Sequence, residues 1–136
     1  DRTAAFERYL SNTSRYYVGH YAPDPVRAVE LVIAAGGAAV IAHPFTSHPG
    51  RAVAPELIRD MAAVGMLGVE VDHREHDEAA RAALRELAGE LGLLMTGSSD
   101  YHGTGKPNLL GENLTDPQTL EAIVSACSGT AYLPPV

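Results

Sequence analysis

Three short apolar runs place the tightest constraint on how this chain of 136 residues can fold. They cover residues 38–42, 67–71 and 93–96. Each run is too short for a helix and too continuously apolar for a half-exposed antiparallel strand, so buried parallel strands fit best. Residues 131–133 form a candidate fourth strand.

Segments with helical periodicity separate these runs. Pro25, Pro55 and Pro117 each begin such a segment, and proline at the first helical position is a common helix start. In the last segment Leu120 is predicted to face the core. Strands that alternate with helices across short glycine-marked turns indicate an α/β fold with a parallel sheet. The predicted helices cover residues 3–10, 25–35, 55–64, 78–91 and 117–126.

Composition excludes several classes of function. The net charge of −7, from 10 basic and 17 acidic residues, argues against a broad nucleic-acid-binding face. It does not exclude a local site that binds a single phosphate. Cys127 is the single cysteine, so neither an intrachain disulfide nor a cysteine-based zinc site is expected. Because no apolar run approaches ~20 residues and no leader is evident, we expect a soluble cytoplasmic protein without membrane contacts.

Polar side chains collect where the predicted strands end. His43 follows the first strand, residues 72–76 follow the second, and Asp100 and His102 follow the third. In parallel α/β folds these carboxyl ends meet at one edge, where functional groups gather. We predict His43, Asp100 and His102 as metal ligands, and Pro44 is expected to hold His43 extended. The alternative is a turn-capping Asp100 beside a surface histidine, with His43 as a core residue.

The metal most compatible with these side chains is a borderline divalent cation. Asp100 and His102 offer one hard oxygen and one imidazole nitrogen, which suits Zn²⁺, Mn²⁺ or Fe²⁺ better than Mg²⁺ alone. Arg51 and Lys106 lie in the loops after His43 and His102, where a cation could hold a substrate phosphate. A solvated surface role for both cations is the alternative.

Residues of the second strand and its loop are candidates for a supporting role. Glu70 and Asp72 are two apart and are expected to share one face of the strand. We predict that Glu70 and His73 orient a metal-bound histidine through hydrogen bonds rather than bind metal themselves. The alternative, which also covers His76, is that these residues are turn caps or solvated loop residues.

The motifs resemble a known family. Residues 35–44, 68–71 and 93–103 are similar to successive segments of the PHP (polymerase and histidinol phosphatase) superfamily. The branch they resemble contains bacterial metal-dependent phosphoesterases, among them nucleoside bisphosphate and AMP phosphatases and a 5′-to-3′ exoribonuclease. Residues 5–10 and 17–18 resemble the end of the helical insertion in that branch. Residues 1–23 are therefore expected to end this insertion, and residues 24–136 to be the C-terminal part of the phosphoesterase domain.

The resemblance implies a fold, a site and a reaction. It implies a distorted (β/α)₇ barrel, similar to a TIM barrel, that holds up to three divalent metals. His43 would ligate one metal, while Asp100 and His102 would ligate two others and act in catalysis. The reaction would be hydrolysis of phosphate esters of nucleotides or RNA 5′ ends by metal-activated water, with a small phosphorylated molecule as the substrate.

The same resemblance predicts what the chain lacks. The family's N-terminal half supplies further histidine, aspartate and glutamate ligands, and no such motifs precede Gly19. We therefore expect a C-terminal fragment that binds metal weakly and has negligible turnover alone. Strand edges left open by a half-barrel could pair with another copy, so a homo-oligomer is a further expectation. The alternative function is a PHP-like module that binds or supports other components without catalysis.

Overall fold

Three parallel strands form the centre of the fold, and helices separate them along the chain. The computed structural model describes residues 2–11, 13–19, 21–48 and 50–129, so the candidate strand at 131–133 lies outside the described residues. A π-helical turn at Phe6–Leu10 follows the first helix, and a 3₁₀ turn at Gly103–Gly105 follows the third strand. The elements are α1 (Arg2–Ala5), α2 (Pro25–Ala34), β1 (Val40–Ile41), α3 (Pro55–Ala63), β2 (Gly68–Asp72), α4 (Glu78–Leu91), β3 (Leu94–Gly97) and α5 (Pro117–Ala126).

Strand β2 lies between β1 and β3 and runs parallel to both. Val40 lies opposite Gly68, which in turn lies opposite Leu94. The pairing of β2 with β3 is irregular between Glu70 and Asp72, where the strand bulges. Because all three strands point the same way, their carboxyl ends lie at one edge of the sheet, as the sequence predicts.

Helices α2 to α5 begin and end within one residue of the predicted bounds, whereas the helix predicted over residues 3–10 is divided between α1 and the π-helical turn. Asp24 caps α2 by accepting a 3.0 Å hydrogen bond from the Val26 amide, and Asp116 caps α5 by accepting one of 2.8 Å from the Gln118 amide. Gly92 ends α4 in the left-handed conformation, with φ at 67°, which glycine adopts without a steric cost. None of the helices in the described part of the chain is long and apolar enough to span a membrane.

The hydrophobic core lies between the sheet and helices α2, α3 and α4. Helix α4 packs on β2 and β3, while α3 contacts α2 and α4. Leu120 of α5 is 41% exposed, so the prediction that it faces the core is wrong. Helix α5 contacts β3 but buries no residue among those described. The buried apolar residues are Val29, Ala39, Ile58, Met61, Met66, Val69, Val71, Leu84, Leu87, Ala88 and Leu93.

Close backbone packing at Gly97 fixes the end of β3. A Cβ atom at Gly97 would lie 2.7 Å from the Leu114 carbonyl oxygen and 3.1 Å from that of Asp72. The Thr115 hydroxyl also donates to the Gly97 carbonyl at 2.8 Å and accepts from the Gly97 amide at 3.1 Å. Only a residue without a side chain fits between β2 and residues 114–115.

Gly97, at the end of β3, and Gly89, within α4, should respond oppositely to substitution by alanine. Gly97→Ala would press a methyl group against backbone atoms, so we expect the free energy of unfolding to fall by about 1–3 kcal/mol. Gly89 lies exposed within α4 with no atom near its Cβ position, so Gly89→Ala should raise stability by about 1 kcal/mol. Urea unfolding followed by circular dichroism measures both. Equal stability of the two variants would contradict this account of Gly97.

Candidate metal-binding site

A polar cavity of about 340 Å³ opens at the carboxyl edge of the sheet. His43, from the end of β1, and Asp100, from the end of β3, both line it. Arg51 and Lys106 line the same cavity. Four of the residues predicted from sequence for metal or phosphate binding therefore share one space, although they are far apart in the chain.

The turn that carries His43 is strained. Its φ is 28°, so the prediction of an extended His43 before Pro44 is wrong. The Glu70 carboxylate is the physical reason, because it accepts a 2.6 Å hydrogen bond from the His43 amide and draws the turn against β2. Glu70 is buried, so the alternative of a solvated residue is wrong for it.

The turn that carries Asp100 is strained in the same way. Its φ is 46°, and among the described residues His43 and Asp100 are the non-glycine positions with positive φ. The Asn108 side-chain amide donates to the Ser99 carbonyl at 2.8 Å, and the Asp100 amide donates to the Ser98 hydroxyl at 3.3 Å. Such strain persists where surrounding contacts over-determine it, and it clusters at functional sites.

The charge on Asp100 is stabilised by its neighbours. The Lys106 ammonium donates a hydrogen bond to Asp100 Oδ2, which lowers the pKa of this carboxyl below its ordinary value. His102 lies beside it, half exposed, with Nδ1 2.8 Å from the Asp100 carbonyl oxygen. A proton on Nδ1 makes this hydrogen bond and leaves the Nε2 lone pair of His102 available to a metal.

His73 lies in the interior between the two strained turns. It is 1% exposed, so the alternative of a solvated loop residue is wrong. Its ring stacks 4.8 Å from that of His43, and its Nε2 lies 4.0 Å from Asp100 Oδ2 with no hydrogen-bond partner among the described residues. Burial lowers the pKa of His73 and favours the neutral ring. Since Nδ1 accepts from the Glu75 amide at 3.2 Å, the proton of that neutral ring lies on Nε2.

His76 is a buried residue whose role the sequence did not reveal. Its Nδ1 lies 2.8 Å from the Val71 carbonyl oxygen, and its Nε2 accepts a 3.2 Å hydrogen bond from the Phe45 amide. The neutral ring with its proton on Nδ1 satisfies both contacts. A histidine three residues after His73 in a polar segment carries no sequence signal for this role.

The two carboxylates of β2 have different partners. Glu70 bonds the His43 amide, whereas Asp72 Oδ1 accepts from Arg85 of α4 at 2.8 Å. The bulge lies between them. Glu70 therefore holds the turn that carries His43, while Asp72 fastens the sheet to α4.

The donor chemistry of the cavity fits a divalent cation. Within the described residues, no three His, Cys, Asp or Glu side chains converge closely enough to hold a metal by themselves. The cavity nevertheless presents the His43 imidazole and the ionised Asp100 carboxylate, with His102 alongside. The unpartnered, buried Nε2 of His73 shows that this polar region is not self-satisfied. These residues fit as part of a ligand set for Zn²⁺, Mn²⁺ or Fe²⁺.

A bidentate ion pair joins the two loops that flank the site. Arg74, after β2, donates from Nε and Nη2 to the Glu112 carboxylate at 2.7 and 2.6 Å. Glu112 also accepts from the Leu109 amide at 3.0 Å. The Arg74 hydrogen bonds are the main cause that lowers the pKa of Glu112 to about 2. This pair ties the loop containing His73 to the segment that follows Asp100.

Three curated proteins are similar to this chain, while no family model matches it. The 3′,5′-nucleoside bisphosphate phosphatase of Chromobacterium violaceum is 36% identical over 78% of the chain and 37% of its own length. The phosphoribosyl 1,2-cyclic phosphate 1,2-diphosphodiesterase of Eggerthella lenta is 41% identical over 59% and 29%. The 5′-3′ exoribonuclease of Haemophilus influenzae is 34% identical over 81% and 40%. The chain thus spans two fifths or less of the length of these relatives.

A solved structure shares the fold. A protein of Bifidobacterium adolescentis, described as a metal-dependent phosphoesterase, superposes with a TM-score of 0.80 and 38% sequence identity. The match covers 95% of this chain and 45% of that one. The arrangement of strands and helices described above is therefore that of a portion of a larger α/β protein.

The pKa of Glu112 provides a test of the loop tie. Arg74→Gln removes the guanidinium, so the pKa of Glu112 should rise from about 2 toward its ordinary value of 4.5. In the unmodified protein the Arg74–Glu112 pair adds to the free energy of unfolding above pH 4.5. This contribution is lost progressively as the pH falls toward 2 and Glu112 becomes protonated. Carboxyl ¹³C NMR titration measures the shift. Arg59→Gln, which breaks the exposed Arg59–Glu90 pair, is the control and should leave Glu112 unchanged; an unmoved pKa in Arg74→Gln would refute the tie.

Proposed function

Because this chain belongs to the PHP (polymerase and histidinol phosphatase) superfamily, we propose that it is part of a metal-dependent phosphoesterase. The proposed reaction is hydrolysis of phosphate esters of nucleotides or of RNA 5′ ends. The observation that carries the proposal is the cavity in which His43 and Asp100 meet Arg51 and Lys106. One space thus offers candidate metal ligands together with cations for a phosphate.

The metal would be held by the imidazoles and the carboxylate at the sheet edge. The proposed ligands are His43, Asp100 and His102. Asp100 and His102 are also the residues that we propose to act in catalysis. A bound divalent cation would supply Lewis-acid charge that polarises a phosphoryl group and activates water. The complete protein would bind up to three cations, and residues outside this chain would supply the remaining ligands. The donor set suits Mn²⁺, Zn²⁺ or Fe²⁺.

The protein residues themselves would bind and orient the phosphate. Arg51 provides a guanidinium that can bind two phosphate oxygens at once, and Lys106 provides a compact positive charge. Lys106 also keeps Asp100 ionised, which a metal ligand requires. The neutral His73, whose Nε2 lies 4.0 Å from Asp100 Oδ2, would add a further N–H dipole beside this carboxylate.

What the substrates of the relatives have in common supports a substrate class for the complete protein. Their names denote action on a nucleoside bisphosphate, a phosphoribosyl cyclic phosphate and RNA. Each of these molecules contains a phosphate ester of a ribose unit. A ribose-linked phosphate ester is therefore the substrate class that we propose for the complete protein.

The proposal includes the place of this chain in the larger fold. We assign residues 24–136 to the C-terminal part of the phosphoesterase domain and residues 1–23 to the end of a helical insertion. The parallel order β1-β2-β3 is compatible with three successive strands of a (β/α)₇ barrel. The structural neighbour, of which this chain covers 45%, supports a domain about twice this size.

Removing the proposed ligands tests the site. In the full-length protein, Asp100→Ala and His102→Ala should abolish Mn²⁺-dependent phosphate release from a nucleoside bisphosphate, because each removes a metal ligand. Asp60→Ala, at an exposed position on α3, is the matched control and should retain full activity. Undiminished phosphate release by either ligand variant would contradict the assignment. A wild type that binds Mn²⁺ without turnover would favour the non-catalytic module.

The phosphate-binding role of Arg51 has a separate kinetic signature. Arg51→Gln should raise KM about tenfold, because a charge-assisted hydrogen bond to the phosphate is lost. Arg27→Gln is the matched control, since Arg27 is exposed on α2 and paired with Glu30 at 2.7 Å. Steady-state kinetics of the full-length protein measure both variants. An unchanged KM in Arg51→Gln would assign Arg51 to the solvated surface.

A further inference from the structure

Two side chains of the β2 segment hold the backbone of the turn formed by residues 43–45. Glu70 Oε2 accepts from the His43 amide at 2.6 Å, and His76 Nε2 accepts from the Phe45 amide at 3.2 Å. Pro44, between them, has no amide proton to donate. Both N–H groups of this turn are therefore bound by side chains rather than by the sheet ladder.

Both side chains are themselves fixed. Glu70 is 5% exposed and His76 is 3% exposed. His76 is held to β2 by the 2.8 Å contact of its Nδ1 with the Val71 carbonyl oxygen. The fully buried Pro44 adds a third attachment, because its carbonyl accepts from the Val53 amide at 2.8 Å. The turn thus has little freedom relative to β2.

These bonds explain how His43 keeps its unfavourable backbone conformation. A positive φ at a non-glycine residue costs on the order of 1–3 kcal/mol and needs external support. The preference of a residue before proline for extended conformations opposes the observed φ of 28° further. The short Glu70 hydrogen bond is charge-assisted and well placed to supply that support.

We propose that Glu70 and His76 are positioning residues, which act through the backbone of residues 43–45 to aim the His43 imidazole at the metal. This inference rests on the proposed function for the identity of what His43 binds. The two residues would not touch metal or substrate. Their effect comes from holding the His43 ring against His73, 4.8 Å away, on the wall of the cavity that Asp100 also lines.

Isosteric variants of Glu70 separate positioning from stability. Glu70→Gln keeps an acceptor for the His43 amide, whereas Glu70→Met keeps the length of the side chain and removes the acceptor. In the full-length protein we expect Glu70→Met to weaken Mn²⁺ binding about tenfold or more and to lower kcat, as for other residues that orient metal ligands. Glu70→Gln should stay within about threefold of the wild type. Mn²⁺ affinity is measured by electron paramagnetic resonance.

A metal-independent readout checks the same geometry. In ¹H–¹⁵N NMR spectra of the protein without added metal, the His43 amide should resonate far downfield and be protected from exchange. Glu70→Gln should move it upfield while keeping its protection, and Glu70→Met should abolish the protection. His76→Phe, which keeps a ring but loses both hydrogen bonds, should expose the Phe45 amide and weaken Mn²⁺ binding as well. This second variant carries the test if Glu70→Met does not fold.

The outcomes distinguish failure of the positioning role of Glu70 and His76 from failure of the proposed function. If the wild type releases phosphate and Glu70→Met or His76→Phe keeps its Mn²⁺ affinity and kcat, the positioning role is overturned. A loss of thermal stability alone in these variants would overturn it as well. If the wild type itself neither binds Mn²⁺ nor releases phosphate, the proposed function fails and the inference falls with it. Glu121→Met, on the exposed side of α5, is the control and should match the wild type.

Discussion

Strand β2 pairs in parallel with β1 on one side and with β3 on the other, and the whole candidate site depends on this pairing. Parallel strands joined by helices end at the same edge of the sheet. His43 and Asp100 therefore reach one cavity although 57 positions separate them in the chain. The bulge in β2 lies between Glu70, which accepts from the His43 amide, and Asp72, which accepts from Arg85 of α4. One strand thus contributes both to the core and to the support of the turn that carries His43.

The site is held by contacts that offset local strain. His43 and Asp100 both adopt positive φ values, each at a cost of about 1–3 kcal/mol. Hydrogen bonds from the His43 and Phe45 amides to the buried Glu70 and His76 side chains stabilise the first turn, and hydrogen bonds to Ser98 and Ser99 stabilise the second. The structure therefore uses part of its hydrogen-bonding capacity to point two side chains into a cavity rather than to extend the sheet. Such a use is typical of a functional site.

Local chemistry made much of the fold predictable. Apolar runs, prolines at helix starts and glycine at the end of α4 report interactions within a few residues, and the structure places the elements accordingly. The gathering of His43, Asp100, Arg51 and Lys106 followed from the rule about strand ends. The conformation of His43 did not follow, because the preference set by Pro44 is overridden by Glu70, 27 residues away.

Other features escaped prediction because they depend on contacts distant in sequence. His76 is buried by the packing of residues 43–45 over β2, and nothing adjacent to it in the chain reveals this. The inward orientation predicted for Leu120 came from helical periodicity, which marks an apolar face but does not identify what covers it. The pairing of Arg74 with Glu112 likewise joins loops 38 residues apart.

The most direct test of a metal site at this edge is a crystal structure of the full-length protein with Mn²⁺, with anomalous diffraction data collected near the manganese absorption edge. The account predicts anomalous peaks within about 2.0–2.3 Å of His43, Asp100 and His102 side-chain donor atoms, a distance typical of nitrogen and oxygen ligands. It also predicts that the Glu70 carboxylate remains on the His43 amide. Anomalous peaks elsewhere, with these three side chains free of metal, would contradict it.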